Sequence, residues 1–370
     1  MGQPRETLST FDAHYLAPAL SGTGTLDALY WLEVRTLSPA SVHIIVLNWN
    51  GWEDTLACLD SLAALTYPHF NVIVVDNGST DDSLGRLRPY KAPYPLTLLE
   101  TGANLGFAEG NNVGIRAALD AGAEYVFLLN NDTEVDPGLV GELVSAATAH
   151  SEGGVFSAKI FYHANPNVLW YAGAKWLADK QYFQHMGIGE IDDGKAYEQI
   201  AETDYASGCA LFIGTDVIKE IGLMDPKFFL TYEESDWCYR ARAAGYKILF
   251  VPTAKLWHKV SASFGGVESP LQLYFYSRNI LLWAERHLSR PAYWSLFLKT
   301  LRDSLRFSIG RSQDGMFIKR LVWGFNSLWR RLHRGGIDAA GRARYLGFRD
   351  YLLRRFGDCP DEVRHLRVGQ

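Results

Sequence analysis

Several apolar runs in this chain end in side chains that bind ions or move protons. Tyr125-Val126-Phe127-Leu128-Leu129 passes directly into Asn130-Asn131-Asp132-Thr133-Glu134. A buried strand ending this way sets its carboxylates at the carboxyl edge of a sheet, where open α/β folds bind ligands. Hard oxygen donors there suit Mg²⁺ or Mn²⁺ carrying a diphosphate. Asp132 is the first candidate metal ligand, and Asn130 can bond ribose or phosphate. Glu134 either adds a second carboxylate or favours a helix start. The plain alternative is a strand-to-helix loop with Asp136 as cap and Pro137 in the first turn. It explains Asp136 and leaves Asp132 and Glu134 without a purpose.

Other places repeat the pattern. Val72 to Val75 closes on Asp76-Asn77-Gly78-Ser79, where Asp76 can accept the N–H of a pyrimidine ring or simply shape a turn. Asn104-Leu105-Gly106-Phe107 falls on the same expected edge, and Gly106 lets backbone approach a ligand closely; alone, it reads as a turn. Glu233-Glu234-Ser235-Asp236 opens a helix. Macrodipole complementarity and an i,i+4 pair with Arg240 account for Asp236. Two adjacent Glu exceed that need, and mutual repulsion with burial would raise one toward a useful general base. His258, after the last core strand, can complete a metal's coordination beside a diphosphate.

The elements that must hold these groups alternate. Val42 to Leu47 is an apolar strand, followed by Asn48-Trp49-Asn50-Gly51 and a helix to about Leu65, with Asn50 and Glu53 at capping-box spacing. Strands at Val72–Val75, Leu96–Leu99 and Tyr125–Leu129 are separated by helical stretches. This rhythm predicts a doubly wound, mainly parallel sheet. After about residue 155 the rhythm breaks into hairpins and loops, then returns with a strand at 207–213, a helix at 234–244 and a strand at 246–251. From 271 onward the pattern is helical. We therefore divide the chain into an extension (1–40, with a short helix at 25–37), a catalytic domain (41–270, halves meeting near 150) and a C-terminal region (271–370).

The whole chain carries a net charge of −5, but residues 271–370 alone carry +11 and the remainder −16. A basic, Trp-bearing tail on an acidic body points to an anionic surface; no nucleic-acid reader motif is visible, and nucleic acid is not expected as a partner. Four Cys lack any CxxC spacing, so we expect reduced thiols, neither disulfide nor zinc, and a cytoplasmic setting. No run of about 18 apolar residues predicts a membrane span.

Taken in order, IIVLNWNGWEDTLACLDSL, VIVVDNGSTDDS, NLGFAEGNNVGI, YVFLLNNDTEVDP, GCALFIGTDVIKEIGLMDPKFFLTYEESDWCYRARAAGY and WHKVSASFG resemble the family 2 glycosyltransferases of the GT-A fold, notably the bacterial rhamnosyltransferase-like branch. The resemblance covers roughly residues 42–285. It implies base binding by Asp76, and an Asp-x-Asp element at Asn130 and Asp132 in which Asp132 takes Mg²⁺ or Mn²⁺. It further implies a catalytic base at Glu234, with a metal or phosphate ligand at His258. Asn48, Asn50, Asn104, Gly106 and Phe107 join the donor side, Glu134 the metal, and Asp236 and Trp237 the acceptor side. Asn130 stands where the family has a first Asp. Glu234 is one methylene longer than the usual Asp, which leaves Glu233 as a rival base. The implied reaction is a single displacement with inversion, from a nucleoside-diphosphate sugar (dTDP-rhamnose or a UDP-sugar) to a glycan or polyprenyl-linked glycan in cell-surface polysaccharide assembly.

In the tail, residues 316–333 place Ile318, Leu321, Val322, Phe325, Leu328, Trp329 and Leu332 on one helical face flanked by basic residues, and 294–305 is similar. We expect residues 290–333 to lie on an anionic membrane, on its cytoplasmic side, with packing on the protein or on a second copy of the chain as the alternative. Two rival functions remain. A sugar-nucleotide nucleotidyltransferase would need a basic Gly-rich loop after the first strand, where Asn48-Trp49-Asn50-Gly51 has no Lys or Arg. A non-catalytic, membrane-docked carbohydrate-binding protein would not need Asp132, Glu234 and His258 together.

Overall fold

A computed structural model describes residues 39–260, 269–309 and 339–366. The expected helix at 25–37, the amphipathic stretch 316–333 and the SASFG end of the last motif lie outside the described residues.

Apolar runs and helices alternate through the first half: β1 (Val42–Asn48), α1 (Trp52–Leu62), β2 (Phe70–Asp76), α2 (Ser83–Leu87), β3 (Leu96–Glu100), α3 (Gly106–Asp120), β4 (Tyr125–Asn130), β5 (Thr133–Val135) and α4 (Leu139–Ala149). β1 is apolar along almost its whole length because helices cover both of its faces, and Val42, Ile44, Ile45 and Val46 are fully buried. β3, β2, β1 and β4 lie side by side in that order and all parallel. This register brings Asn48 level with Asp76, and Leu47 level with Asn130, at the carboxyl edge.

The second half is β6 (Gly153–Tyr162), β7 (Asn165–Tyr171), β8 (Ala174–Leu177), β9 (Tyr182–His185), β10 (Ala201–Glu202), β11 (Ala210–Gly214), α5 (Thr215–Ile221), α6 (Glu233–Ala243) and β12 (Lys247–His258). β11 enters antiparallel between β4 and β6, and β12 runs parallel to β6. The sheet is thus mixed, mostly parallel, with a β8–β9 hairpin apart from it. The end of β12 turns to pair with β5, so that His258 stands opposite Thr133.

Helices α7 (Pro270–His287), α8 (Arg290–Ile309), α9 (Ala339–Leu352) and α10 (Asp361–Arg364) follow. α7 is buried along most of its length. α9 packs tightly on it at Gly347, where a Cβ would come within 2.3 Å of the Tyr274 carbonyl oxygen. Among the described residues no helix is long and apolar enough to cross a membrane.

Local capping differs from the sequence expectation. Gly51 precedes α1 without a side-chain cap; Asn50, at φ 52°, instead accepts from the backbone N–H groups of Thr80 and Asp81. Asp136 accepts from the Gly138 N–H at 2.8 Å, and α4 begins only after Gly138.

Candidate active site

The carboxyl ends of β1 and β4, the end of β12 and the first turns of α3 and α6 surround a cavity of about 380 Å³. Asn77, one residue beyond β2, organises its donor-side rim. Its amide nitrogen donates to Asn104 Oδ1 and to the Gly106 carbonyl, and its own oxygen accepts from the Leu105 N–H. Asn104 also accepts from the Gly106 N–H at 2.9 Å. Gly106, at φ +78°, lies so close to Phe229 that a Cβ would sit 2.5 Å from its carbonyl oxygen; only glycine fits there. Asn104, Gly106 and Phe107 all line the cavity. Asn48 and Asp76 are buried just behind this rim. Asp76 accepts from Asn48 Nδ2 at 2.8 Å and from the Ser79 N–H at 3.0 Å, which leaves lone pairs for a further donor.

Asn130 lines the cavity beside His258. The β5–β12 pairing brings Asp132 Oδ1 to 3.0 Å from His258 Nε2. Both residues are buried, each the other's partner, and His258 lines the cavity while Asp132 stands behind it. The Trp170 ring meets the imidazole edge-on at 4.8 Å and fixes its plane. Burial pulls the imidazole toward neutrality, but the Cys209 sulfur and the Asp132 carboxylate outweigh it and raise its pKa to about 10. Burial also raises the Cys209 thiol. A neutral thiol exerts little pull, so Asp132 is the partner that matters. A carboxylate and an imidazole this close suit a divalent cation that arrives with a diphosphate, once the imidazole gives up its proton, since such ions take one or two protein groups plus phosphate oxygens. Among the described residues no group of three His, Cys, Asp or Glu forms a closed cage.

Glu233 and Glu234 begin α6 and both line the cavity. Each has an Oε2 with no partner. Burial and the neighbouring Glu234 push Glu233 well above the usual carboxylate range. Burial raises Glu234 to about 7. Both carboxyls are therefore held above the ordinary carboxylate range, and the pair resists carrying two negative charges at once.

Several expected site residues are elsewhere. The Glu134 carboxylate meets His163 Nε2 at 2.9 Å, and Glu134 does not line the cavity. Asp236 is buried and bonds Arg240, Arg286 and His287. Trp237 is also buried and donates from Nε1 to the Gly222 carbonyl. Neither Asp236 nor Trp237 reaches the cavity, so the acceptor-side placement is corrected for both. Asn50 shapes a turn, as described above. Conversely, Trp170 and the C-terminal residues Leu271, Gln272, Phe275 and Arg364 line the cavity, although nothing in their local sequence marks them. Cys209 could have been flagged by its place in a turn before a strand. All four cysteines are free.

The sequence profile described as glycosyl transferase family 2 matches residues 41–214. The chain is 27% identical over 244 residues to the low-salt glycan biosynthesis hexosyltransferase Agl10 of Haloferax volcanii, covering 65% of this chain and 74% of that protein. It is 24% identical to the dTDP-rhamnosyl transferase RfbF of Shigella flexneri, over 66% of this chain and 79% of that one. It is 26% identical to the N-acetylglucosaminyl-diphospho-decaprenol L-rhamnosyltransferase of Mycobacterium tuberculosis, over 71% and 89%. The fold is similar to the crystal structure of GalNAc-T7 with UDP, GalNAc and Mn²⁺, at 15% identity and TM-score 0.55, covering 81% of this chain and 58% of that longer one. It is also similar to the mannosyltransferase PcManGT from Pyrobaculum calidifontis in complex with GDP-Man and Mn²⁺, at 15% identity and TM-score 0.50, covering 90% and 96%. Residues 41–214 thus carry a glycosyl transferase family 2 domain on a fold similar to that of GT-A glycosyltransferases, and the chain is similar to the bacterial rhamnosyltransferases named above.

Proposed function

We propose that this hexosyltransferase is inverting and metal-dependent. It moves a sugar, rhamnose from dTDP-rhamnose or a hexose from a UDP-sugar, to a hydroxyl of a glycan or polyprenyl-linked glycan in cell-surface polysaccharide assembly. The observation that carries the reading is a buried Glu234 Oε2 with no partner, in one cavity with Asn130 and His258. A free buried carboxylate is costly to hold unless chemistry uses it.

In this reading Asp76 receives the nucleoside base, its carboxylate oriented by Asn48, while Asn130 holds ribose or phosphate. Asp132 and His258 hold Mg²⁺ or Mn²⁺, which when bound supplies positive charge against the leaving diphosphate. The rim from Asn104 to Phe107 fits backbone against the donor. Glu234 Oε2 accepts the proton of the attacking acceptor hydroxyl. With Glu234 acting as base on the acceptor hydroxyl in a single displacement at the anomeric carbon, the product has inverted configuration.

The acceptor is assigned to a lipid carrier on the relatives named above and on the tail. α8 exposes Trp294 and Leu298, 54% and 60% accessible and one turn apart, in a region rich in Arg and Lys. Such a face suits an anionic membrane surface, and we assign residues 290–333 to it, on the cytoplasmic side.

The test is release of nucleoside diphosphate from dTDP-rhamnose and UDP-sugars, with and without Mn²⁺ and with a polyprenyl-diphosphate-linked sugar, followed by determination of the product anomer. Pyrophosphate as the product would replace this reading with a nucleotidyltransferase. Donor binding without turnover would replace it with a carbohydrate-binding protein.

A further inference from the structure

The loop before α6, residues 227–232, carries three non-glycine residues in the left-handed region: Phe229 at φ 62°, Thr231 at 66° and Tyr232 at 72°. Side chains disfavour that conformation, so such a run persists only where the surroundings over-determine it. The loop has contacts on both sides of the cavity. The Phe229 carbonyl accepts from the Phe107 and Ala108 N–H groups at the start of α3, and the loop leads directly into Glu233 and Glu234.

Two adjacent residues of α7, distant in sequence, grip it. Asn279 Nδ2 lies 2.8 Å from the Phe228 carbonyl, 2.8 Å from that of Leu230 and 2.9 Å from that of Thr231. Arg278 is fully buried. Its guanidinium donates to the carbonyls of Phe228 (3.0 Å) and Lys227 (3.3 Å) and, across the C-terminal region, of Gly357 (2.7 Å). Its Nε donates to Asn279 Oδ1 at 2.9 Å, which sets the amide's orientation. A buried guanidinium is tolerated only when its donors are satisfied, and here backbone carbonyls of this loop take two of the bonds.

We propose that Arg278 and Asn279 are positioning residues that hold the strained 227–232 loop, and through it the first turn of α6, in the geometry that transfer requires. The inference rests on the proposed role of Glu234. Neither side chain lines the cavity, so each acts through the loop. The α7 grip spares Phe229 O, so losing it leaves that carbonyl's bonds to α3 intact. The donor rim is retained while the base side loosens.

The test is Asn279→Asp, which keeps the shape and the acceptor for Arg278 Nε but removes every Nδ2 donor. Turnover is expected to fall about 100-fold, the cost of a misplacement near 1 Å, with the KM for the nucleotide-sugar donor changed less than about threefold. Hydrogen exchange in 227–234 is expected to speed up while β1 and β4 keep their protection. Should that variant fail to fold, Arg278→Lys keeps the charge but loses the fork, and the same split is expected at roughly tenfold. Unchanged turnover in a folded variant overturns the proposal, as does lost turnover with unchanged exchange in 227–234. A wild-type protein that binds dTDP or UDP but transfers no sugar would defeat the functional reading instead. The exchange experiment then decides the tether alone, faster exchange supporting it and unchanged exchange overturning it.

Discussion

Glu234→Gln separates chemistry from stability, and the structure sets the sign of both. Gln keeps the shape but cannot take a proton, so turnover should fall by about 10²- to 10⁴-fold, the usual contribution of a positioned base. Stability should move the other way. An ordinary carboxyl titrates near 4.5, and burial raises Glu234 to about 7 in the fold. A carboxyl raised by folding binds its proton more tightly in the folded state. Stability is therefore highest below pH 4.5 and declines as pH rises from there to about 7. At about 1.4 kcal/mol for each pH unit between the two midpoints, the carboxylate costs on the order of 3 kcal/mol above neutrality. Gln removes that cost and also relieves Glu233, which Glu234 pushes up. Urea denaturation of metal-free and donor-free protein from pH 4 to 8 should show the variant gaining on wild type as pH rises. Calorimetric titration with nucleoside diphosphate and Mn²⁺ should show donor-site binding retained. Wild-type turnover by the variant would move the base to Glu233 or elsewhere. A variant less stable than wild type at pH 8 would refute the buried, unpaired carboxylate itself.

Asp132→Ala should weaken Mn²⁺-dependent nucleotide binding at least tenfold by calorimetry, within the range seen when metal-site groups are lost; unchanged Mn²⁺ dependence would remove Asp132 from the metal. Gly106→Ala places a Cβ 2.5 Å from the Phe229 oxygen at φ +78°, so left-handed strain and overpacking should together cost roughly 2–5 kcal/mol, read as a lowered denaturation midpoint. Asp236→Asn should act on stability and spare donor binding. Burial pushes Asp236 up, but His287, Arg240 and Arg286 outweigh it and hold the carboxyl below its ordinary range, so its contribution is present at neutral pH and lost as pH falls through that lowered midpoint. Breaking this buried cluster should cost about 3–5 kcal/mol by urea denaturation at pH 7. Equal stability of that variant and wild type would show the cluster to be solvated.

Much of the donor side was legible in the linear text because it is local. A strand buried on both faces must be apolar throughout, so the change from Leu47 to Asn48, from Val75 to Asp76 and from Leu129 to Asn130 marks each carboxyl end. Parallel pairing then aligns those ends on one edge. The adjacent Glu233 and Glu234 also stood out, because one helix N-terminus does not need so much acid.

What the text could not decide depends on elements that meet only after folding. Asp132 and His258 become neighbours because β12 bends to pair with β5, and the same three-residue strand turns Glu134 outward to His163. His163 lies some thirty residues onward, so Glu134 read as a ligand. Asp236 read as a site residue because its partners Arg286 and His287 lie some fifty residues onward. Asn279 and Arg278 read as ordinary helix positions because what they hold is backbone, and carbonyl groups leave no trace in residue type. Sequence alone determined the parallel half-sheet and the residues at its edge, since these follow from local polarity and order. Tertiary structure alone decided which carboxylates stay unpaired in the cavity and which are neutralised in the core, because pairing depends on distance through space and not on spacing along the chain.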